Sequence, residues 1–205
     1  MSILHARAQT SVGAAVPAAA GKGLPLRQRP LQKKSGFTVL ELLVVIAIII
    51  VLAGLILATT GYVQNKGARS RAEAEIAAMS AALESYKADN GIYPRDVAKT
   101  DTVDPTAAPT PAAASLYLYE ELSGDRDNNR VTDTNAKSYF AFKPNQLSPT
   151  DQNSNVLFIR DPFGNSYGYS TAKAANPTNN VGFNPTFDLW STANSGDVNA
   201  WVKNW

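Results

Sequence analysis

Glu41 is the only ionisable side chain in the run from Phe37 to Gly61, FTVLELLVVIAIIIVLAGLILATTG. A carboxylate inside a membrane helix costs up to about 2.5–3.5 kcal/mol at mid-bilayer and less near an interface, so it calls for a cationic partner. Other chemistries are narrower still. The 205 residues hold no cysteine, which removes thiolate nucleophiles, thiolate metal sites and disulfides. The single histidine is His5, so imidazole catalysis and imidazole metal ligation are absent from the rest of the chain. Carboxylate, lysine and serine chemistry stay formally open, but only as scattered Asp and Ser residues, and the chain reads as a non-enzyme.

The elements around Glu41 divide the chain sharply. Arg7, Lys22, Arg27, Arg29, Lys33 and Lys34 precede residue 37 with no acid among them; this leaves 13 of the 19 bases against all 17 acids in 37–205, a net charge of −4. The overall basicity therefore belongs to the N-terminal segment, and no nucleic-acid partner is expected. Residues 1–35, rich in Ala, Gly, Pro, Arg and Lys without a period, read as disordered. Leu42 to Ala58 are 17 consecutive residues without a polar side chain, and about 20 apolar residues cross a bilayer as a helix. The bases before the span favour a cytoplasmic N-terminus, although Lys66, Arg69 and Arg71 beyond it weaken that asymmetry. Past Gly61 the pattern turns amphipathic: Ile76, Met79, Leu83 and Tyr86 share one helical face, and Asn90 or Gly91 can supply a left-handed cap. One helix over Phe37–Asp89 would be about 80 Å long.

Residues 97–114 form a Pro/Ala/Thr-rich loop, and a short helix is expected over Ser115–Leu122. Four short strands are expected at 156–160, 165–171, 186–191 and 198–204, with turn chemistry at Asp161-Pro162-Phe163-Gly164-Asn165. Packed on the amphipathic half-helix they make an α+β unit with one core, in which Trp190, Trp201, Trp205, Tyr93 and Tyr169 pack the interior or the sheet. The expected organisation is a basic leader over 1–36, a membrane half-helix over 37–61, an amphipathic half-helix over 62–90 and a globular head over 91–205. A second chemical candidate lies in the head. Asp125, Asp127, Asn129 and Asp133 occupy loop positions 1, 3, 5 and 9 of the EF-hand order, which serves calcium. Arg130 stands where that order has its sharp-turn glycine, and Ala136 where it has its bidentate glutamate; a solvated polar turn fits the same residues.

The junction Lys33-Lys34-Ser35-Gly36-Phe37-Thr38-Val39-Leu40-Glu41 resembles the N-terminus of type IV pilins and type II secretion pseudopilins. The segments 82–94, 161–169, 187–191 and Asn204-Trp205 are similar to the major pseudopilin branch of that family, and the missing disulfide leans the same way. The resemblance implies a pilin-like fold, cleavage after Gly36 by a prepilin peptidase that also methylates the new amine of Phe37, and a filament in which that amine neutralises Glu41 of a neighbouring subunit. Such a pair would fix axial register as polar residues do in coiled coils. The resemblance also implies calcium before the last strand, but between Ser191 and Trp205 the only acid is Asp197, with Asn194 and Asn199 as neutral oxygen donors; calcium wants six to eight oxygens.

The implied partners are copies of the chain in a helical homopolymer, the prepilin peptidase/methyltransferase, minor pseudopilins and the inner-membrane secretion platform. The implied location is the bacterial inner membrane as a single-pass precursor, N-terminus cytoplasmic and head periplasmic, then the pseudopilus. Alternatives are a type IV pilin for adhesion, motility or DNA uptake, and an anchored binding module that never polymerises.

Overall fold

A computed structural model describes residues 36–107, 112–178 and 181–205, with the side chains at 58 and 59 left aside. The expected leader therefore lies outside the described residues except for Gly36. The chain divides into two compact units, of which 36–47 is the described part of the first and residues from Ile48 onward make the second.

Helix α1 is Val39–Asn90. Its described apolar side chains from Val39 to Leu57 are exposed, and it is long and apolar enough to cross a membrane. From Ala68 onward the helix buries one stripe: Ala68, Ala72, Ile76, Met79, Ala82 and Leu83 are all at most 7% exposed. This is the face read from the 3–4 spacing, and the alanines between add helix propensity at no side-chain entropy cost. Tyr86, at its far end, is only partly buried. The helix stops at Gly91, which takes φ +80° and donates its N–H to the Lys87 carbonyl at 2.7 Å, a left-handed closure that glycine adopts without a Cβ clash.

Helix α2 is Ala112–Ser123, three residues longer at its start than the spacing predicts and one longer at its end. Ser115 fastens it to the strand Phe158–Ile159: its hydroxyl accepts the Ile159 N–H at 2.9 Å. The strands form two antiparallel sheets rather than one. Strand β1 (Leu147–Ser148) pairs with β2 (Phe158–Ile159), while β3 (Gly168–Ser170), β4 (Asp188–Ser191) and β5 (Val202–Lys203) follow in that order. A one-turn helix, α3 (Ala172–Ala175), follows β3. All four expected strands are present but shortened, and β1 was not expected.

The split between sheets has a local cause. Asp161 turns the chain after β2; its Oδ1 accepts the N–H groups of Phe163 (3.0 Å) and Asn165 (2.7 Å), and its Oδ2 accepts the Ser191 hydroxyl. Burial pushes its carboxyl up, and these hydrogen bonds pull it back only in part. With the turn built around Asp161, β2 and β3 are joined through the isolated bridge Arg160–Ser166, the bond from Asp161 N–H to the Asn165 carbonyl and the bond from Tyr167 N–H to the Ile159 carbonyl.

Two hydrophobic clusters fill the second unit where a single core was expected. The larger joins Ile76, Met79 and Leu83 of α1 to Leu118 and Leu122 of α2 and to Ile159, Tyr167, Tyr169 and Leu189 of the strands. The smaller gathers Val103, Ala114, Trp190 and Trp201, with Trp205 at its edge. The Trp190 and Trp201 rings stack at 6.4 Å between centroids, and Trp205 meets Trp190 edge-on at 5.9 Å. The aromatic residues thus pack the interior as expected, with Tyr93 and Trp205 half-buried. Three further ties close the unit. Tyr167 donates its hydroxyl to Glu75 at 2.7 Å, and Arg69 donates to the Ala200 carbonyl. Asn204 clasps β4: its Oδ1 accepts the Leu189 N–H at 2.8 Å and its Nδ2 donates to the Phe187 carbonyl at 3.2 Å.

Candidate functional site

At the start of α1, Thr38 does the capping. Its hydroxyl oxygen accepts the Glu41 N–H at 3.2 Å and its carbonyl accepts the Leu42 N–H at 3.1 Å. Thr38 is therefore the N-cap and Glu41 the third helical residue, the spacing of a capping box. The sequence carries this signal as Thr38-Val39-Leu40-Glu41, yet there Thr38 reads merely as an interruption of the apolar run. The helix thus begins two residues after Phe37, close to the point where the junction motif would be cut. An acid in this first turn also sits favourably against the helix dipole.

The Glu41 carboxylate is exposed and has no hydrogen bond or ion pair among the described residues. Phe37 is 83% exposed beside it. At Gly36 an added Cβ would meet nothing within 4 Å. The fold therefore places no steric demand for glycine at position 36, so any such requirement must come from what acts on the junction.

The second candidate is the loop after α2. One carboxylate oxygen from each of Asp125, Asp127 and Asp133 lies within 4.8 Å of the others. Asp125 is 1% exposed. Its Oδ1 accepts the Asn129 N–H at 3.1 Å, and its Oδ2 accepts the Arg130 N–H at 2.7 Å and the Tyr119 hydroxyl at 2.6 Å. Asp127 accepts the Asn129 side-chain amide at 2.8 Å, and Asp133 accepts the Arg126 N–H at 3.2 Å. The neighbouring Asp125 carboxyl, chiefly through a shared hydrogen bond, holds the exposed Asp127 carboxyl above its usual range. Burial and the Asp125 carboxylate push the Tyr119 hydroxyl up.

Arg130 takes the place of the sharp-turn glycine in backbone as well as in spacing, at φ +72°. Its guanidinium points elsewhere, donating to the carbonyls of Ser154 (2.9 Å) and Pro149 (2.6 Å). None of the ion pairs among the described residues involves Asp125, Asp127 or Asp133. Three crowded carboxylates without an ion-paired base among the described residues suit a hard divalent cation, with carboxylate and backbone oxygens as ligands. Asn129 contributes less than its position predicts: its Oδ1 already accepts the Val131 N–H at 2.8 Å.

Asp197 and Asn199 are arranged differently. Asp197 caps the turn Val198–Ala200, its Oδ1 accepting both the backbone N–H (2.9 Å) and the side-chain amide (3.1 Å) of Asn199. Asp197 belongs to no cluster of three acids among the described residues.

One comparison with known proteins falls on the first site. Residues 31–57 match the family model described as the prokaryotic N-terminal methylation motif. The chain is 39% identical over 82 residues to the type II secretion system core protein G of Aeromonas hydrophila, covering 39% of this chain and 57% of that relative. It is 37% identical over 86 residues to the protein of the same name in Escherichia coli K12, covering 39% of this chain and 59% of that one. The core protein G of Vibrio cholerae is 35% identical over 66 residues, covering 32% and 45%. The chain thus spans less than three-fifths of the length of these relatives. No solved structure matches. The methylation motif, the long apolar helix that Thr38 caps and these identities make the chain similar to the type II secretion system core protein G over part of its length.

Proposed function

We propose that the chain is a structural subunit of a type II secretion pseudopilus, made as a precursor, cut after Gly36, methylated on Phe37 and polymerised through α1 to drive protein export. The observation that carries this reading is the pairing of an unpartnered Glu41 with a capped, exposed apolar helix that opens within the methylation motif. Cleavage would create a cationic amine at Phe37, four residues from Glu41. In a filament that amine meets a neighbour's Glu41 and removes the cost of a bare carboxylate in an apolar setting. The likeness to core protein G supports the export role over adhesion or motility. The work is assembly rather than catalysis. Its partners would be further copies of the chain, the prepilin peptidase, minor pseudopilins and the inner-membrane platform. Before assembly the chain would cross the inner membrane once, N-terminus in the cytoplasm and head in the periplasm. Mass spectrometry of the protein purified from membranes tests this directly: the first residue should be N-methylated Phe37, and a mature chain still carrying residues 1–36 would end the proposal.

We further propose that the Asp125–Asp133 loop holds calcium, on the strength of its three adjoining carboxylates that lack a basic partner. The ion would neutralise the crowding around Asp125 and rigidify the chain between α2 and β1. Calorimetric titration of residues 62–205 with calcium should give heat, and saturation at a hundredfold excess over Kd should stabilise the fold by about 2.7 kcal/mol. Asp125→Ala/Asp127→Ala should abolish both effects, whereas Asp197→Ala should leave them unchanged. A parent protein that gives neither heat nor a thermal shift would remove calcium from the account.

A further inference from the structure

Two charged side chains of α1, Arg71 and Glu73, are exposed and have no hydrogen bond or ion pair among the described residues. The buried line of the helix here runs through Ala68, Ala72, Ile76 and Met79. At roughly 100° per residue, Arg71 lies on one flank of that line and Glu73 on the other, about 200° apart. One chain therefore shows the Arg71 cation on one side of the helix and the Glu73 carboxylate, with Arg69 and Lys66 one and two turns before it, on the opposite side.

The Arg71 flank is a built surface. A groove of about 370 Å³ runs beside the helix, lined by Arg71, Ala74 and Ala78 together with Phe140, Ala141 and Lys143. Lys143 is exposed and its ammonium, like Arg71, has no partner among the described residues. Glu75 also borders the groove, but it is engaged by the Tyr167 hydroxyl. The Tyr167 bond leaves the Glu75 charge in place, so the groove carries two cations against one anion, a net positive charge, over an alanine floor low enough for a facing helix to approach closely. On the opposite flank, Glu84 is engaged by the Tyr93 hydroxyl at 2.8 Å. Arg69, one helical turn before Glu73 on the same flank, donates to the Ala200 carbonyl and forms no ion pair with it, and Lys66, two turns before, stands roughly 10 Å away along the axis, too far for an ion pair. Glu73 is the free acid there.

A surface and its complement on opposite sides of one subunit cannot pair symmetrically. They join head to tail, and when the rotation does not close, such contacts generate a helical filament. We propose that the Arg71–Lys143 groove of one copy receives Glu73 of the next copy, setting the spacing of neighbouring heads. This rests on the filament reading above and adds a second point of registration to the one at Glu41.

The full-length chain is suited to a direct test because it has no native cysteine. In an Arg71→Cys/Glu73→Cys variant the two Cβ atoms point to different sides of the helix, so they cannot join within one copy. Oxidation of assembled filaments should produce a ladder of dimers, trimers and higher species, while each single cysteine gives dimers at most. Independently, Arg71→Glu or Glu73→Arg should each cut filament yield about tenfold or more by setting like charges together, and the combined exchange should restore most of it. Where the cysteine pair itself prevents polymerisation, rescue by charge exchange decides. Filaments that still depend on Glu41 but give no ladder, with both single charge reversals polymerising normally, would overturn this contact and leave the pseudopilus reading standing. An unaltered chain that forms no filaments would end both.

Discussion

Glu41→Ala is expected to leave the full-length chain in the membrane fraction at parental levels and to abolish its filaments. Removing a carboxylate relieves about 2.5–3.5 kcal/mol at mid-bilayer, less near an interface, so anchoring should not suffer. What is lost is the partner for the neighbour's new amine. A deficit of only about 1.4 kcal/mol per contact weakens each addition tenfold, and a helical polymer repeats that deficit at every subunit. Apart from its favourable place against the helix dipole, the side chain makes no other contact: the bond at the helix start uses the Glu41 backbone N–H, with Thr38 as acceptor, so the cap survives in the alanine variant. Glu41→Gln should fail in the same way, since it keeps the size and loses the charge. Electron microscopy of sheared filaments, with immunoblots of the membrane fraction, reads both quantities. Filaments from the alanine variant at the parental level would show that the acid has no part in assembly. A variant missing from the membrane would show that its role lies in insertion.

The largest expected effect on the fold belongs to Gly168→Ala. Gly168 lies opposite Trp190 in the β3–β4 pair, and the fully buried indole covers its backbone. A Cβ added at Gly168 would stand 2.1 Å from Trp190 Cε2 and 2.3 Å from Cζ2. Trp190 cannot yield easily, because it is stacked on Trp201 and flanked edge-on by Trp205. Overpacking of this kind costs about 3 kcal/mol or more, which for residues 62–205 corresponds to a fall in Tm of roughly 10 °C. Circular dichroism melts of that segment measure it. A melting point within a degree or two of the parent would mean that the indole is free to move and that the smaller cluster is loosely packed.

Much of the molecule could be read from residue types because the signals were local. The apolar run and the junction around Gly36 required nothing beyond their own neighbours. The α1 stripe and the Gly91 stop followed from spacing and backbone preference alone. The strands were found where β-branched and aromatic residues cluster, but their extents were overestimated, since pairing is settled by distant partners. VLFIR retains only Phe158–Ile159 as strand because Asp161 commits the following residues to a turn and Ser115 reaches in from α2. The β1 segment went unseen because Leu147-Ser148-Pro149 carries no strand pattern of its own and exists through pairing with β2. In the acidic loop after α2, sequence placed Asp125, Asp127 and Asp133 together, as the structure does, whereas Arg130 looked disqualifying. A non-glycine residue can adopt the left-handed turn when its side chain is held elsewhere, here by two backbone carbonyls. The opposed flanks of α1 were also hidden in sequence, since Arg71 and Glu73 gain meaning only once the Phe140–Lys143 segment is seen to wall the groove.

The clasp of Asn204 on β4 has a consequence for how the subunit withstands its surroundings. Hydrogen bonds to Leu189 and Phe187, with indole rings behind them, secure the last strand without any sulfur. Such a closure needs no oxidant to form and offers no bond for glutathione or thioredoxin to attack. Its integrity is independent of redox poise, so the residues around β4 and β5 keep the same shape under reducing and oxidising conditions alike.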